Sequence, residues 1–220
     1  GLALHEAVAA IQTAAKDDRI AGLLLMPQGA GIGFAANREL RAALDNFRES
    51  GKPCRTWSDG LDEKSFHLAS STNEIWLQPF GTLELDGIGG EVLYWGKLFE
   101  NLKIKFHVIR AGKFKSAFEN FVRETMSSAE REQTQAWLAD VYGTVLNDIA
   151  SSRGLSVKQL QELVSARPIF TAEQAVTAGL VDRRAWFDEL LDVFQKEAPG
   201  DESFSQIRLE SWISLLASER

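Results

Sequence analysis

The sequence predicts an α/β fold followed by a helical extension. Short apolar runs, which are typical of buried strands, alternate with segments of helical periodicity about every 30 to 40 residues. Such alternation indicates parallel strands joined by right-handed crossovers. After Ser127 no strand pattern is visible. We therefore expect an α/β core over residues 1–126, and over residues 127–220 a helical extension of the same domain that serves packing or oligomerisation.

The first half of the chain predicts three strand–helix passages. An amphipathic helix opens it, and a continuous apolar run at 21–26 predicts a buried parallel strand. A helix over about 37–49 is ended by Gly51 and Pro53. The later elements are strands at 54–57 and 74–77, a helix around Phe66 and a short exposed strand at Leu83 and Leu85.

The second half predicts mainly helices. A helix is expected over Val92–Leu102 and a strand over Ile104–Ile109, where Lys105 and His107 alternate with apolar neighbours. A long helix begins near Ser127 and ends before Gly154. Shorter helices are expected at 156–166, 171–178 and 185–196, and a last one around Trp212.

Composition and charge exclude several classes of protein. A net charge of −7 argues against nucleic-acid binding, which needs a basic surface. The only cysteine, Cys54, excludes an internal disulfide and a cysteine-based metal cluster. The histidines, His5, His67 and His107, are scattered, and the latter two look like ordinary residues at the edge of the core. We therefore expect no metal site and no cofactor.

The chain shows no signal for a membrane span. No run reaches the ~18 apolar residues that cross a bilayer. The start lacks an initiator Met and opens almost directly into a helix, which predicts an excised piece of a longer protein whose anchor lies elsewhere.

A glycine-rich loop, Gly29-Ala30-Gly31-Ile32-Gly33, joins the first predicted strand to the next helix. Its backbone N–H groups suit an anion, but the spacing is neither GxGxxG nor a P-loop. An ordinary strand-to-helix turn is favoured over dinucleotide binding. A third interpretation is that the loop lines a cleft for a peptide or an oxyanion.

Two lysines, Lys113 and Lys115, follow the strand that is predicted to end at Ile109. Ligands in α/β sheets bind beyond the carboxyl ends of strands, and a desolvated lysine is a usable base. Spacing alone favours two solvated surface lysines, however, and does not single out Lys115 over Lys113.

A family resemblance does single out Lys115. The run Arg110-Ala111-Gly112-Lys113-Phe114-Lys115-Ser116-Ala117-Phe118-Glu119 resembles the R-x-G-x-[YF]-K-[SD]-A-x-E motif of the signal peptide peptidase A family, also called protease IV. Phe121 and the run from Met126 to Glu132 continue the likeness. Further matches occur at residues 15–22, 47–53, 68–77 and 171–182, so that the resemblance covers about residues 4–195.

The resemblance implies a fold of the ClpP/crotonase type and a serine/lysine dyad in which Lys115 is the general base. Long members of the family carry the lysine on the amino-terminal half and the serine on the carboxy-terminal half. Glu63 stands near the expected serine position, and nearby Ser65 lacks the flanking glycines of the A-S-G-G-Y run. The S-P-G-G oxyanion element is replaced by Pro27-Gln28-Gly29-Ala30-Gly31. Both departures fit the lysine-bearing half of a tandem enzyme, inactive alone.

The family also implies partners and a location. The expected substrates are apolar remnant signal peptides, and the expected partners are a serine-bearing carboxy-terminal domain and further copies in a ring-like homo-oligomer. The expected location is membrane-associated, at a bacterial inner membrane facing the periplasm or at a thylakoid-type membrane.

Two other functions remain open from the sequence. One is a non-catalytic scaffold half that only assembles the oligomer. The other is an acyl-CoA enzyme of the crotonase type, which would need paired backbone donors for a thioester oxyanion and a base beside them.

Overall fold

The computed structural model describes residues 3–27, 32–109, 111–197 and 205–218. They form two compact units: a first unit of Gly1–Asp86 with Leu146–Arg220, and a second unit of Gly87–Val145. The α/β class predicted from the sequence is confirmed, since a mixed sheet with helices forms the first unit. The predicted division of the chain into a core that ends at residue 126 and a helical extension that begins at residue 127 stays a prediction.

The sheet of the first unit has parallel strands at its centre. Its order is β1-β2-β3-β4, and β5 also pairs with β3. Leu23 pairs with Cys54 and Arg55 with Glu74, both in parallel register, whereas Thr82 pairs antiparallel with Thr171. The strands are β1 (Leu23–Leu25), β2 (Cys54–Leu61), β3 (Glu74–Glu84), β4 (Ile169–Thr171) and β5 (Arg183–Arg184).

The helices agree with most of the predicted ones. The predicted long helix near residues 127–152 is confirmed as α6, which contributes residues to both units. The helices are α1 (Leu4–Lys16), α2 (Phe34–Glu49), α3 (Glu63–Ala69), α4 (Gly96–Asn101), α5 (Glu119–Val122), α6 (Ser128–Arg153), α7 (Val157–Ala166), α8 (Ala172–Thr177), α9 (Phe187–Glu197) and α10 (Leu209–Ser218).

Apolar clusters cover both faces of the sheet in the first unit. Leu23 and Leu25 pack against a cluster from α1, α2 and α3 that includes Phe47, while Leu24 packs against a cluster around Trp76. Because successive strand residues point to opposite faces, the two clusters lie on opposite sides of the sheet.

The strand predicted at Leu83 and Leu85 is confirmed at Leu83, but its predicted exposure is wrong. The two side chains are 0% and 1% exposed, and Leu83 belongs to β3, which continues through an irregularity opposite Ser58–Gly60. A side chain at Gly81 would lie 2.5 Å from the carbonyl oxygen of Asp59, so only glycine lets the two strands approach there.

The expectation of no strands after Ser127 is also wrong. β4 and β5 hold three and two residues, lengths at which no alternation can be recognised. Both form strands because their backbones pair with β3.

Two predictions in the second unit require correction. The helix expected over 92–102 is formed only as α4, and the strand expected over 104–109 does not form. These six residues are exposed and pair with no strand of the described chain, so their alternation reflects no sheet. In the described residues, no helix is both long and apolar enough to cross a membrane.

Candidate functional site

Lys115 lies in the loop between α4 and α5 of the second unit. Gly112 has a φ of +94°, a conformation that favours glycine, and its carbonyl oxygen lies 3.5 Å from the backbone nitrogen of Lys115. The backbone N–H of Ser116 donates to Phe114 at 3.1 Å. The lysine is thus presented by a tight turn and does not follow a strand, which removes the strand-end argument for its position.

The surroundings of the two candidate lysines differ. The Nζ atom of Lys113 lies 2.9 Å from a carboxylate oxygen of Glu132 and 4.8 Å from the ring centroid of Phe114. Lys115 is exposed, and its side chain makes no hydrogen bond or ion pair with any described residue. Lys113 is thus engaged in an ion pair with Glu132, whereas Lys115 has no such partner among the described residues.

The segment after Lys115 is held by backbone hydrogen bonds. The N–H of Trp95 donates to the carbonyl oxygen of Asn120 at 2.6 Å, and the N–H of Gly96 donates to that of Arg123 at 3.1 Å. A side chain at Gly96 would lie 2.4 Å from the same Arg123 oxygen. The start of α4 is therefore in close backbone contact with α5 and its end.

The second unit also ties its loop to the start of α6. The hydroxyl of Tyr94 donates a hydrogen bond to Glu130 at 2.7 Å. Burial, and after it the hydrogen bond to this carboxylate, raises the pKa of Tyr94 to about 12. Glu130 itself belongs to the first turn of α6, where its N–H donates to Ser127.

An aromatic groove of about 680 Å³ lies within the second unit. Its centre is Phe99, whose ring centroid lies 4.9 Å from that of Phe106 and 6.1 Å from that of Phe121. His107 lines the same groove and is exposed, so it does not lie at the edge of a core as the sequence suggested. The lining of the groove is mixed, since the charged residues Glu100, Lys103, Lys105 and Glu124 lie beside its three phenylalanines.

The position at which the family carries its serine lies in the first unit. Glu63 and Ser65 are both buried in α3, and the backbone N–H of Ser65 donates to the N-cap residue Asp62 at 2.7 Å. In the described part of the chain, no serine hydroxyl is hydrogen-bonded to the side chain of a lysine or a histidine. Gln28 to Gly31 and Arg110 lie outside the described residues, so the interpretations of the glycine loop remain predictions.

Sequence reasoning missed a buried polar network around His67. The Nε2 atom of His67 lies 2.9 Å from Asp148, and its Nδ1 atom lies 3.3 Å from the amide of Asn37. Arg41 donates to the carbonyl oxygen of His67 and to the hydroxyl of Ser152. Asp148 lies 81 positions from His67, and no local pattern could have joined them.

Burial governs the ionisation of this network and of the single cysteine. Burial lowers the pKa of His67 despite the hydrogen bond that the imidazole donates to Asp148, which acts in the opposite direction. Burial also raises the pKa of Cys54 to about 12, which makes its thiol an unreactive core residue. Neither group is suited to act as a nucleophile or a base for an external substrate.

Comparison with known proteins matches residues 46–199 to Peptidase family S49. The chain is 34% identical over 178 residues to Protease 4 of Salmonella typhi, an alignment that covers 80% of this chain and 27% of that protein. It is 29% identical over 211 residues to Protease 4 of Haemophilus influenzae, covering 90% of this chain and 34% of the relative.

A plant protein also matches, the chloroplastic serine protease SPPA of Arabidopsis thaliana, at 26% identity over 196 residues. That alignment covers 89% of this chain and 29% of the plant protein. The chain thus spans about a third or less of the length of these relatives. The matched range includes Lys115 and most of both units, and the chain therefore belongs to peptidase family S49, as a member of the signal peptide peptidase A, or protease IV, family.

Proposed function

We propose that this chain supplies Lys115 as the general base of a serine peptidase whose nucleophilic serine lies on another domain. The observation that carries the proposal is the contrast between the two lysines. Lys113 is ion-paired with Glu132 at 2.9 Å, whereas Lys115 is exposed and its side chain makes no hydrogen bond or ion pair with a described residue.

A second domain accounts for two properties of the site. A lysine acts as a base only when it is uncharged, and desolvation favours that form. Lys115 is exposed in this chain, so a docking domain has to provide the apolar cover. The same domain has to bring the serine, since the buried Ser65 has no hydrogen bond to a basic side chain of the described residues.

In the proposed reaction, the neutral amine of Lys115 takes the proton of the serine hydroxyl as the serine oxygen attacks a peptide carbonyl. The resulting lysine ammonium returns the proton to the leaving amine, and an acyl-enzyme forms. Lys115 then takes a proton from the water that attacks the ester, and its ammonium returns that proton to the serine oxygen as the second product leaves. Lys115 is thus restored with each turnover.

The proposed substrates are apolar peptides, including remnant signal peptides, and the proposed fold is of the ClpP/crotonase type. The aromatic groove around Phe99 and Phe106 provides apolar surface in the unit that carries Lys115. We further propose a membrane-associated location and a homo-oligomer, in line with the family membership of the chain.

The proposal is tested in a protein that joins this chain to the serine-bearing domain, with a peptide ester as substrate. We expect Lys115→Ala to lower kcat by about 10²–10⁴-fold, the range attributed to general base catalysis. Lys113→Ala is the matched control and should change kcat little. Wild-type turnover by Lys115→Ala would contradict the proposal.

A scaffold role is the second candidate, because the second unit has little buried core. In the described residues, thirteen of the nineteen exposed large apolar side chains lie in residues 87–145, among them Ile109 at 102% exposure and Trp137 at 61%. Contiguous apolar surface marks interaction sites. If the chain is only a scaffold, Trp137→Glu will lower the oligomer mass in analytical ultracentrifugation, while Lys115→Ala leaves turnover intact.

A further inference from the structure

Glu119 is the only charged residue that is buried in the described part of the second unit. It is 4% exposed, and in the described residues of 87–145 only Val145 is buried as well. Carboxylates are seldom buried without compensating interactions, because removing their charge from water costs free energy. Its burial therefore calls for a role in the local structure.

Glu119 makes contacts on both sides of its own position in the segment that follows Lys115. Its backbone N–H donates to the carbonyl oxygen of Ser116 at 2.8 Å, and its own carbonyl oxygen accepts from the N–H of Arg123 at 2.9 Å. A carboxylate oxygen lies 3.7 Å from the Nε atom of Arg123. Glu119 therefore connects the residue next to Lys115 with the end of α5.

The same segment is tied to α4 on its other side. Asn120 and Arg123 accept the backbone hydrogen bonds of Trp95 and Gly96, which fixes α5 in one position. The side chain of Lys115 makes no hydrogen bond or ion pair with a described residue, so its direction depends on the backbone that carries it. That backbone is a loop of turns, anchored at its carboxyl end by Glu119.

We infer that Glu119 is a positioning residue for Lys115: its buried side chain, paired with Arg123, anchors the end of the turn from which the lysine reaches the serine hydroxyl. This inference rests on the proposed function of Lys115. A misplacement of about 1 Å in a catalytic group costs roughly a hundredfold in rate. Loss of the Glu119 charge should therefore lower kcat while substrate binding, and hence KM, is left nearly unchanged.

Two variants in the protein that joins this chain to the serine-bearing domain test the inference. Glu119→Gln keeps the shape and removes the charge, and Glu119→Asp keeps the charge on a shorter side chain. We expect kcat in the order wild type, Asp, Gln, with Gln reduced about a hundredfold and KM changed less than about threefold. Glu124→Gln is the control, because Glu124 is exposed and lies 3.6 Å from Lys97.

The far-UV circular dichroism and the thermal midpoint of each variant separate positioning from folding. A folded Glu119→Gln protein with the kcat of the wild type would overturn the inference, and so would a kcat loss that only follows a loss of folded protein. If Glu119→Gln fails to fold, the folded Asp variant decides by the same criterion. Lys115→Ala, measured in parallel, separates failure of this inference from failure of the proposed function. Turnover by Lys115→Ala would contradict the proposed function. If Lys115→Ala is inactive while Glu119→Gln is fully active, only the inference about Glu119 is contradicted.

Discussion

The Nε2 atom of His67, in α3, lies 2.9 Å from the Oδ2 atom of Asp148, in α6. Because a carboxylate only accepts hydrogen bonds, neutral His67 carries its proton on Nε2 and accepts from Asn37 through Nδ1. The side chain of His67 is 0% exposed, and the cations of Arg38 and Arg41 also face the pair. The Asp148 carboxylate thus contacts the Arg38 guanidinium, at 3.3 Å, and the neutral imidazole of His67, while Arg41 donates to the backbone carbonyl oxygens of His67 and Asp148.

This arrangement predicts that the free energy of unfolding falls in mild acid. The folded-state pKa of His67 lies below its ordinary value of 6.5, chiefly because of burial. Above pH 6.5 the imidazole is neutral in both states and contributes no pH dependence. Below pH 6.5 the unfolded chain takes up the proton first, so stability is lost until the folded-state pKa is reached. Urea unfolding measured between pH 7.5 and pH 5 checks this.

The control for the pH prediction is His67→Gln. This variant should be less stable than the wild type at neutral pH, since it disturbs the contacts to Asp148 and Asn37. It should also lose the part of the pH dependence that belongs to the histidine. Equal slopes for both proteins between pH 6.5 and pH 5 would contradict the prediction.

The first unit could be largely predicted from the sequence, because local pattern and burial agree there. The apolar run that contains Leu23–Leu25 forms a strand of the central sheet, and the helix after Gly33 ends near Gly51 as its sequence indicates. β4 and β5 could not be predicted, since two or three residues become strands only through pairing with β3. Long-range pairing of this kind leaves no periodic signal in the sequence.

For the candidate site, the sequence proposes a residue but does not predict its local structure. The motif from Arg110 to Glu119 singled out Lys115, whereas the alternation over 104–109 suggested a strand that does not form. Alternating residues form a strand only when a neighbouring strand takes their backbone hydrogen bonds, and here none does among the described residues. The buried position of Glu119 likewise depends on contacts that no spacing reveals.

A methyl group at residue 96 should disturb the segment that carries Lys115. The added Cβ atom of Gly96→Ala would lie 2.4 Å from the carbonyl oxygen and 2.6 Å from the carbonyl carbon of Arg123, so backbone has to move. We expect a lower free energy of unfolding by about 1–3 kcal/mol, as for other overpacked contacts. Chemical denaturation of the chain measures it.

The matched control is Gly143→Ala in α6, where an added Cβ atom meets nothing within 4 Å. Alanine is the better helix former, so this variant should be more stable by about 0.5–1 kcal/mol. The prediction fails if Gly96→Ala is as stable as wild type or more so.

The thiol of Cys54 should be unreactive in the folded protein. Cys54 is 0% exposed, and burial raises its pKa to about 12, so the reactive thiolate is scarce at pH 8. We expect no measurable reaction with Ellman's reagent in the native state and one equivalent after denaturation, since the chain has one cysteine. Rapid labelling of the native protein would show that β2 is not buried as described.

Replacement of Arg55 by lysine should destabilise the first unit although the charge is kept. Arg55 is 8% exposed, and its guanidinium donates to both carboxylate oxygens of Glu197, at 2.7 and 2.9 Å, and to Glu74 at 3.1 Å. An ammonium group cannot reproduce this planar set of bonds. The expected loss in the free energy of unfolding is about 1.5–3 kcal/mol.

The control for this substitution is Arg48→Lys. Arg48 lies at an exposed position 3.4 Å from Asp45, and exposed ion pairs contribute about 0–1 kcal/mol. The two variants carry the same chemical change and the same net charge, so urea unfolding of both isolates the effect of the buried, bidentate geometry. If Arg55→Lys costs no more than Arg48→Lys, the bidentate pair with Glu197 does not stabilise the link between β2 and the end of α9.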